Sequence, residues 1–147
     1  MKLMFCTSNL PGALLIRAVT WSRWSHVAVL LDDDTAIEAT FPKVKLTPVS
    51  DLKDKYKKWC IVDVDVPNEQ NAIDFAKKQL GKSYDVSAVI GLMFHRDWAQ
   101  DSEWFCSELA TAIIEAGGRH LFRHNVVNRI VPEYLWILCN PIIEERK

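Results

Sequence analysis

A surplus of charge of either sign is what this 147-residue sequence lacks: 18 Lys and Arg stand against 19 Asp and Glu, for a net charge of −1. So even a balance gives no electrostatic reason to bind nucleic acid or an anionic membrane. Long apolar runs are missing as well. Val27 to Leu31 and Val86 to Met93 are the longest, and both fall far short of the ~20 residues that cross a bilayer. The first six residues, Met1 to Cys6, give way at once to Thr7, Ser8 and Asn9, so no apolar segment of the secretory type forms. A cytoplasmic protein is the simplest expectation, although a delivered effector or phage protein would look the same.

Closely spaced cysteines are absent too. Cys6, Cys60, Cys106 and Cys139 lie far apart, with no C-x-x-C and no Cys/His ligand spacing, which argues against a structural zinc site. No metal or organic cofactor is expected. A disulfide framework is disfavoured, because the chain is long enough to build a core. Cys6, Cys60 and Cys139 sit among apolar neighbours and read as buried free thiols. Internal repeats and low-complexity segments are also missing.

What is present is ordinary for a globular chain, with 49% hydrophobic and 25% charged residues. One domain over residues 1–147 is expected. Six Trp is a high number, and the residue suits cores, clefts and interfaces alike. Leu3 to Cys6 reads as a first strand, Asn9 to Gly12 as a turn, and Ala13 to Val19 as a short helix. Ser25 to Leu31 and Ala36 to Phe41 read as strands joined by the polar turn Asp32 to Thr35. Pro42 and Pro48 bracket an irregular stretch, and Lys53 to Lys58 reads as a solvated basic cluster.

Trp59 to Val66 alternates as a half-buried strand, with Cys60, Val62, Val64 and Val66 on one face. Asn68 is an N-cap for a helix that buries Ala72, Phe75, Ala76 and Leu80 and stops at Gly81. Val86 to Met93 reads as a helix. Asp101 or Ser102 caps another, from about Glu103 to Ala116, ending at Gly117-Gly118. Pro132 opens a last helix through Leu138. Strands and helices are grouped rather than alternating, which predicts an α+β fold with an antiparallel sheet.

Cys106 falls in the first turn of its helix, where free backbone N–H groups and the helix dipole favour a thiolate. Its own N–H could serve an oxyanion on a substrate. Glu103 and Glu108 oppose that effect, so a histidine partner is needed. Core packing also places cysteines at helix starts. His26 shares a strand face with Ala28 and Leu30, and a core histidine or an ion pair with Asp32 or Glu38 would account for it equally. Glu38 lies twelve positions later. With an odd number of loop residues the two share a face, and the carboxylate can then fix the imidazole tautomer; with an even number it cannot. His95, His120 and His124 read as surface residues. Ser107 lacks the G-x-S-x-G setting of a serine nucleophile and reads as a support for the helix start.

Four motifs in order, Ser25-His26-Val27-Ala28-Val29-Leu30, Ile37-Glu38-Ala39, Gly81-Lys82-Ser83-Tyr84-Asp85 and Trp104-Phe105-Cys106-Ser107-Glu108-Leu109, resemble those of circularly permuted NlpC/P60 proteins. The YiiX/YebB-like branch is the nearer likeness, and lecithin:retinol acyltransferase-like proteins the more distant. The resemblance implies a papain-like α+β fold with a cysteine-bearing helix on an antiparallel sheet. It also implies Cys106 and His26 as the catalytic pair, with Glu38 as the third member. Tyr84, Ser25 and Trp104 would line the cleft or assist the oxyanion hole. The implied activity is thiol hydrolysis of an amide in a peptide such as a peptidoglycan stem peptide. A lipid-directed acyl hydrolase or acyltransferase with the same triad is the alternative, as is a binding module that has lost the chemistry. An inhibitor partner cannot be read from the sequence.

Overall fold

A computed structural model of the chain describes residues 1–9, 13–14, 17–18, 21–84, 103–122, 130–139 and 142–146. Among them eight strands form one sheet: β1 (Lys2–Thr7), β2 (His26–Leu30), β3 (Thr35–Thr40), β4 (Lys43–Pro48), β5 (Lys58–Asp63), β6 (Ser83–Tyr84), β7 (Glu103–Trp104) and β8 (Ile142–Arg146). Their order is β7-β6-β4-β3-β2-β1-β5-β8, and every pairing is antiparallel except that of β6 with β7. Four helices accompany the sheet: α1 (Val49–Lys55), α2 (Glu69–Lys78), α3 (Cys106–Ala116) and α4 (Pro132–Leu138). The architecture is α+β, with the cysteine-bearing helix packed on a largely antiparallel sheet.

Both faces of the central strands are covered. Leu3, Phe5, Val27 and Val29 point into a core shared with α2, α3 and α4. Met4, Cys6, Ala28 and Leu30 point the other way, into a smaller core closed by Val49 and Leu52 of α1 and by Tyr56 and Trp59. That is why β1 and β2 read as unbroken apolar runs rather than alternating ones.

Helix α3 lies across β2 and β3 with Leu109 and Ile113 fully buried. Its C-terminal end is fixed by α2. Asn68 caps α2 by accepting from Asn71 N–H at 3.0 Å, and its own N–H donates to Gly117 O at 2.9 Å. A Cβ on Gly117 would come within 2.1 Å of Val66 Cγ1, so only glycine lets the two helices approach this closely.

The structure changes several sequence expectations. Residues 43–48 are a full strand, not an irregular stretch, because Lys43 to Thr47 alternates and pairs with β3 in unbroken register. The basic cluster contains the end of α1, whose Lys53 lies over the Trp59 ring and reaches Glu144. The strand at 58–63 is buried on both faces, since α1 covers Trp59 and Ile61. Leu80 is exposed rather than part of the buried face of α2.

Helix α3 starts at Cys106, not near Glu103, because Glu103 and Trp104 are held as a strand against β6. Ser107 does not support the helix start; its hydroxyl donates to Ile130 O. Cys139 is half-buried rather than buried. Strand β8, exposed at every position, was not anticipated. The expected turn at Leu10 to Gly12, the helix at 86–93, and His95 and His124 lie outside the described residues, as does much of the helix at 13–19.

Candidate active site

The hairpin between β2 and β3 decides the first question the sequence left open. Leu30 pairs with Ala36, so the connection holds five residues, an odd number. Asp32 Oδ1 fixes it by accepting from the N–H groups of Asp34 and Thr35 at 2.9 and 2.7 Å. His26 and Glu38 therefore share a face and stand diagonally across the two strands. Their contact is direct: His26 Nε2 lies 2.6 Å from Glu38 Oε2, and both residues are buried.

The carboxylate is held from its other side as well. Glu38 is the register partner of Lys45, and Thr47 Oγ1 donates to Glu38 Oε1 at 2.8 Å. Lys45 Nζ stands 3.6 Å from the same oxygen. Burial alone would raise the Glu38 pKa; the hydrogen bond and charge of His26, then Thr47 and Lys55, outweigh it and bring the value down to about 2. Thr47 and Lys45 escaped the sequence reading because 42–48 was taken as irregular. Alternation of Lys43, Lys45 and Thr47 against Val44 and Leu46 was the available signal.

Cys106 completes the chain of contacts. It is the first residue of α3, after Phe105 in an extended conformation, and Glu108 Oε2 accepts from Phe105 N–H at 3.2 Å. As the first helical residue it has an N–H with no acceptor inside the helix. Its side chain lies close enough to His26 to raise the imidazole's pKa. With Nε2 turned to Glu38, Nδ1 is the ring nitrogen left for the thiol. By strand alternation His26 belongs to the face of Ala28 and Leu30, whereas Cys106 belongs to the larger core on the opposite side. The register pairs of β2 with β3 are Val29–Ile37 and Leu30–Ala36, so His26 and Glu38 both lie beyond the paired stretch.

Burial pulls the His26 pKa down, but the hydrogen bonds to Cys106 and Glu38 and their charges raise it to about 9. The imidazole is thus held protonated through neutral pH. Tyr56 stacks on it, with ring centroids 5.9 Å apart and planes 24° apart, and closes that side to water. Sequence reasoning missed Tyr56, since nothing marks a tyrosine at a helix end as the neighbour of a histidine thirty residues earlier.

The three expected cleft residues are placed differently from one another. Ser25 is buried and ties β1 to β2: its hydroxyl accepts from Ser8 N–H at 2.9 Å and donates to Cys6 O at 3.4 Å. Tyr84 is the register partner of Trp104, and its ring lies 6.1 Å from that of Phe105. Trp104 has a buried Nε1–H with no partner among the described residues, and Lys82 lies over its ring at 5.7 Å. His120 is exposed.

A cysteine at a helix start beside a strand-borne histidine, with the histidine earlier in the chain, is the arrangement of permuted papain-like cysteine hydrolases. Residues 3–130 match the family described as permuted papain-like amidase enzymes, YaeF/YiiX, C92 family, and the chain belongs to it. It is a cysteine-type, amidase-like hydrolase. Among solved structures, the metalloprotein YiiX from Escherichia coli O157:H7 shares the fold, with a TM-score of 0.65 at 24% identity over 83% of this chain and 68% of that one. No curated protein matches the chain. Among the described residues, no group of three or more His, Cys, Asp or Glu could hold a metal ion, and no helix is long and apolar enough to cross a membrane.

Proposed function

We propose that the chain hydrolyses an amide bond in a peptide through a Cys106–His26–Glu38 triad. The observation that supports this is the direct contact of the His26 imidazole with the buried Glu38 carboxylate, beside the thiol at the head of α3. Cys106 sulfur attacks the carbonyl carbon, its proton having passed to His26. The Cys106 N–H stabilises the oxyanion, and Trp104 Nε1–H is our candidate for the second donor. Collapse of the tetrahedral intermediate breaks the C–N bond as His26 gives its proton to the leaving amine. Water then attacks the thioester, passing a proton back to His26, and the acid product leaves with Cys106 restored. Glu38 keeps the imidazole oriented and stabilises its charged form. Ser25 acts as a positioning residue for His26, and Tyr84 lines the cleft.

For the substrate we favour the stem peptide of peptidoglycan, on the strength of the permuted NlpC/P60 likeness. Peptidoglycan fragments and phospholipids incubated with wild type and with Cys106→Ala, read by mass spectrometry, test both the chemistry and the substrate. Cleaved peptide from the wild type alone is the expected result. Fatty acid release would assign the lipid chemistry instead, and no turnover of either would leave the binding module. An alkylating probe at pH 7 checks the nucleophile independently. Burial pushes the pKa of Cys60 up to about 11, that of Cys139 up to about 12 and that of Cys6 well above its ordinary range, so Cys106 should be labelled first. In His26→Ala that advantage should disappear.

A further inference from the structure

The Glu38 carboxylate has two oxygens, and they have different partners. Oε2 lies 2.6 Å from His26 Nε2, while Oε1 accepts from Thr47 Oγ1 at 2.8 Å. Nothing in the carboxylate itself distinguishes the two, because the last torsion of a glutamate is broad and roughly two-fold. Its side chain is closed to solvent, at 0% exposure, so water supplies no substitute donor. Which oxygen faces the imidazole, and at what tilt, is therefore decided by whatever grips the other one.

Two groups approach Oε1, both from β4. Lys45 is the register partner of Glu38, but its Nζ stands 3.6 Å away, beyond hydrogen-bonding distance, on a side chain 48% exposed. A hydrated ammonium on a long flexible stem adds charge without fixing an orientation. Thr47 differs on each count. It pairs with Ala36, one diagonal step from Glu38 on the same face of the sheet. Its branched Cβ restricts χ1, so the strand register itself aims the hydroxyl. An ionised carboxylate only accepts, which makes the threonine the donor. The other charges acting on Glu38 are the His26 imidazole of β2 and the Lys55 cation at the end of α1.

We propose that Thr47 is a positioning residue for the hydrolysis: its hydroxyl holds Oε1, so that Oε2 is presented to His26 in one fixed geometry. Thr47 acts through Glu38, and the inference rests on the Cys106–His26–Glu38 triad proposed above. The carboxylate then needs no reorientation as the imidazole takes up and returns its proton.

Alkylation of Cys106 by iodoacetamide at pH 7 reads the effect without a known substrate, with the four cysteines resolved by peptide mass spectrometry. Thr47→Val and Thr47→Ala both remove the hydroxyl and differ in bulk. Each should slow Cys106 labelling about tenfold, the effect of one lost hydrogen bond to a charged group. Thr47→Ser, which keeps the donor, should recover most of the rate. The carboxyl carbon resonance of Glu38, with its midpoint at about 2, should titrate higher in the Val and Ala variants and not in the Ser variant. Glu38→Gln, measured alongside, separates the two levels of the argument. If it slows labelling while Thr47→Val changes neither the rate nor the Glu38 midpoint, the role of Thr47 is overturned and the triad stands. Labelling unchanged in Glu38→Gln would remove the triad and this inference with it. A Ser variant as slow as the Val variant, or slowing with no shift of the Glu38 midpoint, would also overturn it.

Discussion

Replacing Glu38 by Gln keeps the shape of the buried side chain and removes its charge. In the wild type the carboxylate stands 2.6 Å from His26 Nε2, and the imidazole pKa is about 9 although burial opposes it. An opposite charge this close is worth about 1–3 pKa units. The His26 midpoint should therefore fall by that amount, with the contact to Cys106 sustaining the remainder. At about 1.4 kcal/mol per unit, the variant should lose roughly 1.4–4 kcal/mol near pH 6. The signs of the two partners bound the window. The His26 contribution is complete below its ordinary value of 6.5 and is lost as pH rises through about 9. That of Glu38 is complete above its ordinary 4.5 and is lost as pH falls through about 2. The stability difference between wild type and variant should thus be greatest between about pH 4.5 and 6.5, and should shrink above pH 9. Urea unfolding at several pH values measures the second quantity, and the imidazole C–H resonances measure the first. A His26 midpoint that stays near 9 in Glu38→Gln would refute the assignment of its charge to this pair.

Other outcomes follow from the same geometry. Trp104→Phe, which removes the indole N–H proposed as the second oxyanion donor, should lower kcat by about 10²–10³ with little change in KM, measured on whichever substrate the wild type turns over. Tyr56→Ala should cost about 3–5 kcal/mol in urea unfolding, because it empties the space between α1 and His26; Tyr56→Phe, which keeps the stacked ring, should not. Gly117→Ala forces a methyl into Val66 and should destabilise by about 1–3 kcal/mol, read by thermal or urea unfolding, without altering the pH dependence of His26.

The hairpin that joins His26 to Glu38 was legible in part: its two strands and their shared parity are local features, whereas the loop count stayed open until the register was known. His26 and Glu38 share parity, and the Asp32-Asp33-Asp34 turn supplies the odd loop that puts them together. The central strands were legible because β1 and β2 are buried on both faces, which leaves short, nearly unbroken apolar runs. Elements that gain their place only from distant partners were not. Helix α1 buries just Val49 and Leu52 of its seven residues, too short a pattern to show a helical period. Strand β8 is exposed throughout and exists by pairing with β5. Helix α3 lost its first turn to β7 because residues 83–84 offer a strand partner twenty positions upstream, a competition that no local capping signal reports.

That last competition matters for the chemistry. Had α3 begun near Glu103, Cys106 would sit inside its first turn, with residues ahead of it screening its amide and its sulfur. Pairing of Tyr84 with Trp104 instead pulls the preceding residues into the sheet, so that Cys106 itself becomes the helix terminus. Its N–H then has no acceptor within the helix, and the Trp104 indole N–H, two residues earlier, has no partner among the described residues. Cys106 belongs to the larger core, whereas His26 lies on the face of Ala28 and Leu30, beyond the stretch where β2 pairs with β3. A strand of two residues thus sets Cys106 at the head of α3, while Glu38, held in register with Lys45 of β4, fixes the imidazole through Nε2.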